Sequence, residues 1–486
     1  MKAQWMMVID TYEGLAKKAA DTLSGVVSGY LREVLPVKYS ADIQAESLRG
    51  SNLLILGSVD ANWLLASCAE QSLLRVPEQP ESFSVYVGKS VLNPDRQMIA
   101  IAGSNPAGIL YGCMEFCNRY CGDLLFREGY LWDERHFDAP FDRALPHWQV
   151  SRSPAVKDRG IWTWGHVLYD YRGFFENMAK LRLNTVVIWN DHVPLNAKDV
   201  VAYAHSFGVR VIWGFAWGWD TDCKEAIAGL TGDAICKLKE TVLRTYETQY
   251  APTGADGIYF QSFTEMTESS VGGMSVAQTV TELVNDIAGQ LLARYPGLHI
   301  QFGLHATSVK EHLDIIRLVD KRVHILWEDC GAFPYNYRTD AVEGFEETLC
   351  LTEALLTLRG EEERFGAVLK GMLNLDWNSF THFTEGYILG ERTSAYIRQR
   401  QQAKDKIWRT VQAGWLQNAA YVQKTVSCIA AGNDPIVEAL VEDAMLENRI
   451  MLPVALYAEL LWTPEADVAE LIAQTAKFPC VSFANW

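Results

Sequence analysis

The chain has 486 residues with a 49% hydrophobic fraction, more than one core usually supports, so its length and composition fit about three domains. Its 60 acidic against 43 basic residues give a net charge of −17, which repels phosphate backbones and anionic membrane surfaces and excludes nucleic acid as an expected partner. No uncharged apolar run reaches the roughly 18 residues of a membrane span, and Asp10 and Glu13 interrupt the start before a signal core can form, so the expected location is cytoplasmic.

Residues 1–148 read as a small α/β domain. A helix is expected over 12–34, strands over 53–57, 82–87 and 98–103, and a further helix from 106 through 116. Cys113, Cys117 and Cys121 share one face of that last helix, but their spacing matches no usual zinc pattern. The ten cysteines are scattered through a large chain, which predicts free, buried thiols and no metal site. The stretch 140–154, rich in proline and arginine, interrupts ladders and helices alike and reads as a linker.

Residues 149–390 carry seven short apolar runs, over 160–164, 186–192, 211–217, 258–265, 300–305, 323–329 and 372–377. Helical patterns lie between several of them, over 173–183, 197–207, 276–295 and 309–319. Short apolar runs alternating with helices over roughly 200 residues or more predict buried parallel strands closed into a (β/α)8 TIM barrel. Residues 391–486 read as a C-terminal helical region, with helices expected over 395–415, 419–431 and 434–461. The whole is an α/β protein of three parts.

In such a barrel the chemistry collects at the carboxyl ends of the strands. Those ends carry Trp164, Trp189, Asp191, His192, Trp217, Glu265, His305, Trp327, Glu328, Asp329, Asp376 and Trp377. Carboxylates set among tryptophans point to glycoside chemistry. Hydrolysis needs one protonated carboxyl to deliver a proton and a second carboxylate to activate water or attack. Glu265, between Phe263 and Met266, has apolar surroundings that favour its protonated form and is the expected acid. The second role is divided among Glu328, Asp376 and Asp329, and strand alternation lets only one of the adjacent Glu328 and Asp329 face the pocket squarely. Arg159 is a candidate for holding sugar hydroxyls or a uronate, with a buried ion pair as its other reading. Asp191, His192 and His305 are candidate substrate contacts. Trp164, Trp189, Trp217, Trp327 and Trp377 are candidate stacking platforms, though most of the 16 tryptophans must serve cores. No phosphate-cradle glycine pattern or metal motif is present, so no cofactor is expected.

Arg159-Gly160 at the first strand, followed by Phe175-x-x-Met178-Ala179-Lys180-Leu181-Arg182-Leu183-Asn184-Thr185, resembles the opening of the barrel in family 20 β-N-acetylhexosaminidases. The Phe83-Ser84-Val85 strand and the Gly108-x-x-Tyr111-Gly112 helix are similar to the α/β domain preceding the barrel in families 20 and 67 of the glycoside hydrolases. Family 20 ends its fourth strand with Asp-Glu, whereas this chain has Thr264-Glu265, and threonine cannot supply the charge that substrate assistance needs. The resemblance therefore shifts toward family 67 α-glucuronidases, whose fourth strand carries a small hydroxyl residue before the acid, and Asp376-Trp377 resembles that family's Glu-aromatic pair. It implies an exo-acting hydrolase that removes a terminal sugar, a uronic acid among the candidates, from an oligosaccharide. A hexosaminidase-like hydrolase and a barrel that binds carbohydrate without cleaving it are the alternatives. The oligomeric state is left open by the sequence, a homodimer included.

Overall fold

The computed structural model describes residues 4–121, 145–215, 232–260, 264, 269–271, 273–305, 309–328, 344–360, 363–372 and 383–484. In the front region six strands share one sheet: β1 (Trp5–Ile9), β2 (Val37–Tyr39), β3 (Asn52–Gly57), β4 (Phe83–Lys89), β5 (Gln97–Gly103) and β6 (Trp148–Arg152). Their spatial order is β2-β1-β3-β5-β4-β6. The first four of that order run parallel, while β4 pairs antiparallel with both of its neighbours.

A largely parallel sheet of apolar strands must be covered on both faces. Helices Gly14–Leu31 and Pro106–Tyr120 cover one, setting Leu23, Val27, Leu110 and Met114 against Met7, Leu54, Phe83 and Ile99. Helix Trp63–Glu70 covers the other, with Leu64, Leu65 and Cys68 against Leu53, Ile55 and Ala100. The Pro106 helix starts where the sequence says it should, because Asn105 Oδ1 accepts from Gly108 N at 2.9 Å and proline needs no donor partner in the first turn. Strand β6 falls in the stretch expected to be a linker. Pro146 and Pro154 bracket it, and proline is tolerated at strand limits, so the signal marked where the strand ends.

Eight parallel strands close the expected barrel. They are β7 (Asp158–Trp164), β8 (Thr185–Asn190), β9 (Arg210–Phe215), β10 (Gly257–Phe260) and, past a hairpin of β11 (Ser270–Val271) and β12 (Met274–Ser275), β13 (His299–Leu304), β14 (His324–Trp327), β15 (Phe365–Met372) and β16 (Ile436–Val441). Neighbours in sequence are neighbours in space, and β16 closes onto β7 with Leu440 opposite Trp162. Period-2 alternation sends Trp162, Val187, Ile212, Tyr259, Leu326 and Val368 inward, and Ile161, Val186, Val211, Ile258, Phe302 and Ile325 out to the helices.

The eighth strand corrects the helix expected over 434–461. Its sequence, Ile-Val-Glu-Ala-Leu-Val, contains Glu, Ala and Leu, all good helix formers, and an apolar run of six does not by itself separate strand from buried helix. Tertiary context decides, since the barrel would otherwise have two open edges between β7 and β15. The two helices expected over 395–415 and 419–431 are one, Ser394–Ala430, whose 37 residues run about 55 Å and lead from the β15 side back to β16. Helices Leu452–Leu460 and Val468–Thr475 follow.

Front region, barrel and C-terminal helices meet at a buried ion cluster. Arg182 lies in the left-handed region at φ 58° and pairs with Glu115 of the front region and Glu459 of the C-terminal part, which also takes Arg152 at 2.8 Å. Burial pushes the Glu459 carboxyl up, but Arg182 and Arg152 outweigh it and hold the group below its ordinary value. Among the described residues, no helix is long and apolar enough to cross a membrane, and no group of three His, Cys, Asp or Glu is placed to hold a metal ion.

Candidate active site

The carboxyl ends of β10, β13, β14 and β15 converge on one carboxylate. Glu328 stands directly after β14, in step with the inward Leu326, and is 3% exposed. Three groups from three other strands meet it. The Tyr259 hydroxyl on β10 donates to Oε1, His305 Nε2 after β13 lies 2.9 Å from Oε2, and Lys370 Nζ on β15 lies 3.9 Å from Oε2. A carboxylate taken out of water survives only with such partners. Gly303 on β13 makes the room, because a Cβ there would run into Glu328 Oε1 and the Tyr259 hydroxyl. Beside it the Thr264 hydroxyl donates to the Gly303 carbonyl at 3.1 Å, so the threonine that departs from the family 20 pair ties the chain after β10 to the end of β13.

An aromatic layer lines the interior on the other side. Trp162 packs edge-on to Trp164 at 4.8 Å, stacks with Trp189 at 6.0 Å and meets the Tyr259 ring edge-on at 5.7 Å. Trp189 is the partly exposed member, while Trp162 and Trp164 beside it are buried. Behind Trp189, Asp191 Oδ2 accepts from Phe383 N at 3.0 Å and the His192 carbonyl accepts from the Tyr387 hydroxyl at 3.1 Å. Asp191 and His192 thus hold Phe383 and Tyr387 against the end of β8.

Two expected contacts are corrected. Arg159 lies at the amino end of β7, away from the mouth, and is fully buried. Its guanidinium donates to the carbonyls of Val156 at 2.9 Å, Lys157 at 3.0 Å and Arg182 at 3.0 Å and pairs with Glu81, so it belongs to the domain junction. Trp327 precedes the inward Glu328 by one residue, and alternation turns it outward into the layer of barrel helices. Glu265, Asp329, Asp376, Trp217 and Trp377 lie outside the described residues.

Sequence reasoning missed Tyr259, Lys370 and the carboxylates of the eighth strand. A lysine in the otherwise apolar Phe365–Met372 run was the available signal for Lys370. Val441-Glu442-Asp443 repeats the pattern of Trp327-Glu328-Asp329, an apolar strand ending in two acids, and was hidden by the helical reading. Glu442 is buried, in step with the inward Glu438 and Leu440. Asp443 accepts from the Tyr169 hydroxyl at 2.8 Å and binds Lys404 at 3.0 Å and Arg400, which keeps it below its usual value despite burial. Inside the barrel Glu438 Oε1 accepts from Gln301 Nε2 at 2.9 Å, and burial raises its pKa to about 8.

No family model matches the chain, and no curated protein matches it in sequence. Solved structures to which it bears a distant likeness include a GH18 chitinase from Pseudoalteromonas aurantia, at TM-score 0.34 and 10% identity over 58% of this chain and 94% of that one. Another is a putative alpha-galactosidase from Bacteroides fragilis NCTC 9343, at TM-score 0.35 and 11% identity over 68% and 64%. A third is an aldolase from Escherichia coli K12, at TM-score 0.29 and 8% identity over 66% and 87%. Likenesses of this size establish neither family nor activity.

Proposed function

We propose that the barrel is a glycoside hydrolase in which Glu328 is the reacting carboxylate and Glu265 the acid. The observation that carries this reading is Glu328 itself, a buried carboxylate at the carboxyl end of a barrel strand, met by Tyr259, His305 and Lys370 from three other strands. In this reading Glu265 passes its proton to the leaving glycosidic oxygen. Glu328 either takes a proton from the attacking water or bonds to the anomeric carbon, and the two routes give opposite stereochemical outcomes. Trp189, backed by Trp164, receives the apolar face of the sugar ring. Asp376 and Asp329 stand as competitors for the role of Glu328.

The finer reading is an exo-acting enzyme that takes a terminal uronic acid from an oligosaccharide. It is supported by the Thr264-Glu265 pair and by Lys370, a cation beside Glu328 of the kind a uronate carboxylate pairs with. The test is hydrolysis of a panel of aryl glycosides and glucuronylated oligosaccharides by the wild type, Glu265→Gln and Glu328→Gln. Turnover that falls about 10²–10⁴-fold in each variant, with unchanged thermal stability, is the expected result. Turnover indifferent to Glu328→Gln gives its role to Asp376 or Asp329. Saturable sugar binding without turnover on any substrate favours the binding barrel.

A further inference from the structure

The opposite end of the barrel holds a cavity. It has a volume of about 760 Å³ and opens between the amino ends of β9, β10, β13, β14 and β15. That is within the size range of small-molecule sites. Its walls carry four guanidiniums, Arg210, Arg294, Arg322 and Arg364, against the single carboxylate of Asp256. In a chain of net charge −17 such a clustering of arginines runs against the whole, although three of the four are paired with carboxylates beyond the lining.

Most of these charges are already engaged. Arg210 donates to Thr185 Oγ1 at 3.0 Å and pairs with Asp158, Arg322 pairs with Asp320 at 2.6 Å, and Arg294 pairs with Glu247. Asp256 Oδ2 is taken by the Val211 amide and by His205 Nε2, each at 2.8 Å. Arg364 differs. Among the described residues its guanidinium has no hydrogen bond or ion pair, and nearby Asp434 is taken up by Lys157 at 2.6 Å. At the floor, His324 is 6% exposed and, among the described residues, its Nδ1 finds no hydrogen-bond partner. Its ring stacks on His299 at 4.2 Å, and burial holds both imidazoles neutral, His324 at about 4. Tyr246 and Tyr295, packed edge-on at 5.2 Å, form an aromatic wall.

We propose that this cavity binds a phosphate-bearing small molecule, with Arg364 meeting the phosphate and the ring of His324 beneath it. A planar donor fork with no acceptor among the described residues suits a phosphate of charge about −1.5 to −2 at neutral pH. The tyrosine wall suits the rest of such a molecule better than a bare ion. The site is independent of the carboxyl-face carboxylate, so it stands or falls separately from the hydrolase reading.

The test is calorimetric titration of the full chain with inorganic phosphate, glucose 6-phosphate and glucose up to about 10 mM, above the millimolar Kd of a weak site. Saturable binding of glucose 6-phosphate, tighter than that of inorganic phosphate, with none of glucose, is expected. Arg364→Met should weaken it at least 10-fold with little shift in Tm, because among the described residues the Arg364 side chain makes no hydrogen bond or ion pair and only adds its charge near Asp434. Ligand should also move the ring resonances of His324, identified by their loss in His324→Asn. Binding of phosphate as tight as that of glucose 6-phosphate identifies free phosphate as the ligand and overturns the small-molecule assignment. Binding of neither anion, equal binding of glucose, or full affinity in Arg364→Met overturns the site.

Discussion

The inner strands of the front sheet and the strands of the barrel are of one kind, short, apolar and buried on both faces, yet their interiors differ. The side chains that β3 and β5 direct into the two helix layers are Leu, Ile, Met and Ala, and both layers close over hydrocarbon. The barrel interior instead sets Gln301, Glu438, Tyr259, Glu328 and Lys370 among Val187, Ile212 and Leu326. Polar groups buried in a closed barrel cost stability unless they are hydrogen-bonded, and here the bonding is incomplete. Among the described residues Glu438 Oε2 and Gln301 Oε1 find no partner. Hydrocarbon of the same volume would hold the barrel together better, so its interior composition answers to something besides folding.

The comparison can be broken at either end. Phe83 on β4 is fully buried against the Pro106–Tyr120 helix and 5.5 Å from the Trp462 ring. Phe83→Ala should cost about 3–5 kcal/mol in chemical denaturation while leaving kcat of the folded fraction unchanged. A change in kcat would mean that the front sheet does more than support. Tyr259→Phe makes the converse change in the barrel. It removes one charge-assisted hydrogen bond from Glu328 and leaves His305 and Lys370 in place, so kcat/KM should fall about 10- to 100-fold with a stability loss of about 1.5–3 kcal/mol. A large loss of Tm with kcat/KM intact would make the Tyr259–Glu328 contact structural.

The sequence showed the barrel where strand type and strand end agreed. Runs such as Val186–Ile188 and Ile300–Phe302 are rich in β-branched and aromatic residues and lie between clear helices, so type and place were both legible. The eighth strand failed that test, because Glu438, Ala439 and Leu440 favour helix locally and only closure onto β7 makes them a strand. Arg159 misled because strand polarity matters as much as membership, and it begins β7 where Trp164 ends it. Trp327 misled although parity was available, since an inward Glu328 requires an outward neighbour. The grip of Tyr259 and Lys370 on Glu328 joins residues 69 apart in one case and brings together three strands in all, which local pattern does not encode.

Glu438 sharpens the comparison through pH, because a buried carboxyl raised to about 8 is protonated at neutrality. Its folded value lies above its unfolded one, so the stability it contributes is complete at low pH and is lost as pH rises from about 4.5 toward about 8. Glu447 has the same direction and value, whereas His324, lowered to about 4, acts only below its ordinary value of 6.5. The window from 6.5 to 8 therefore reports the two glutamates alone among these three groups. Glu438→Gln keeps the shape, stays neutral and should remove one proton's share of the slope, up to about 1.4 kcal/mol per pH unit, from denaturation curves taken across that window. An unchanged slope would mean that Glu438 is ionised inside the barrel, with Gln301 sufficient to hold the charge. The contrast with the hydrocarbon interior of the front sheet would then be greater still.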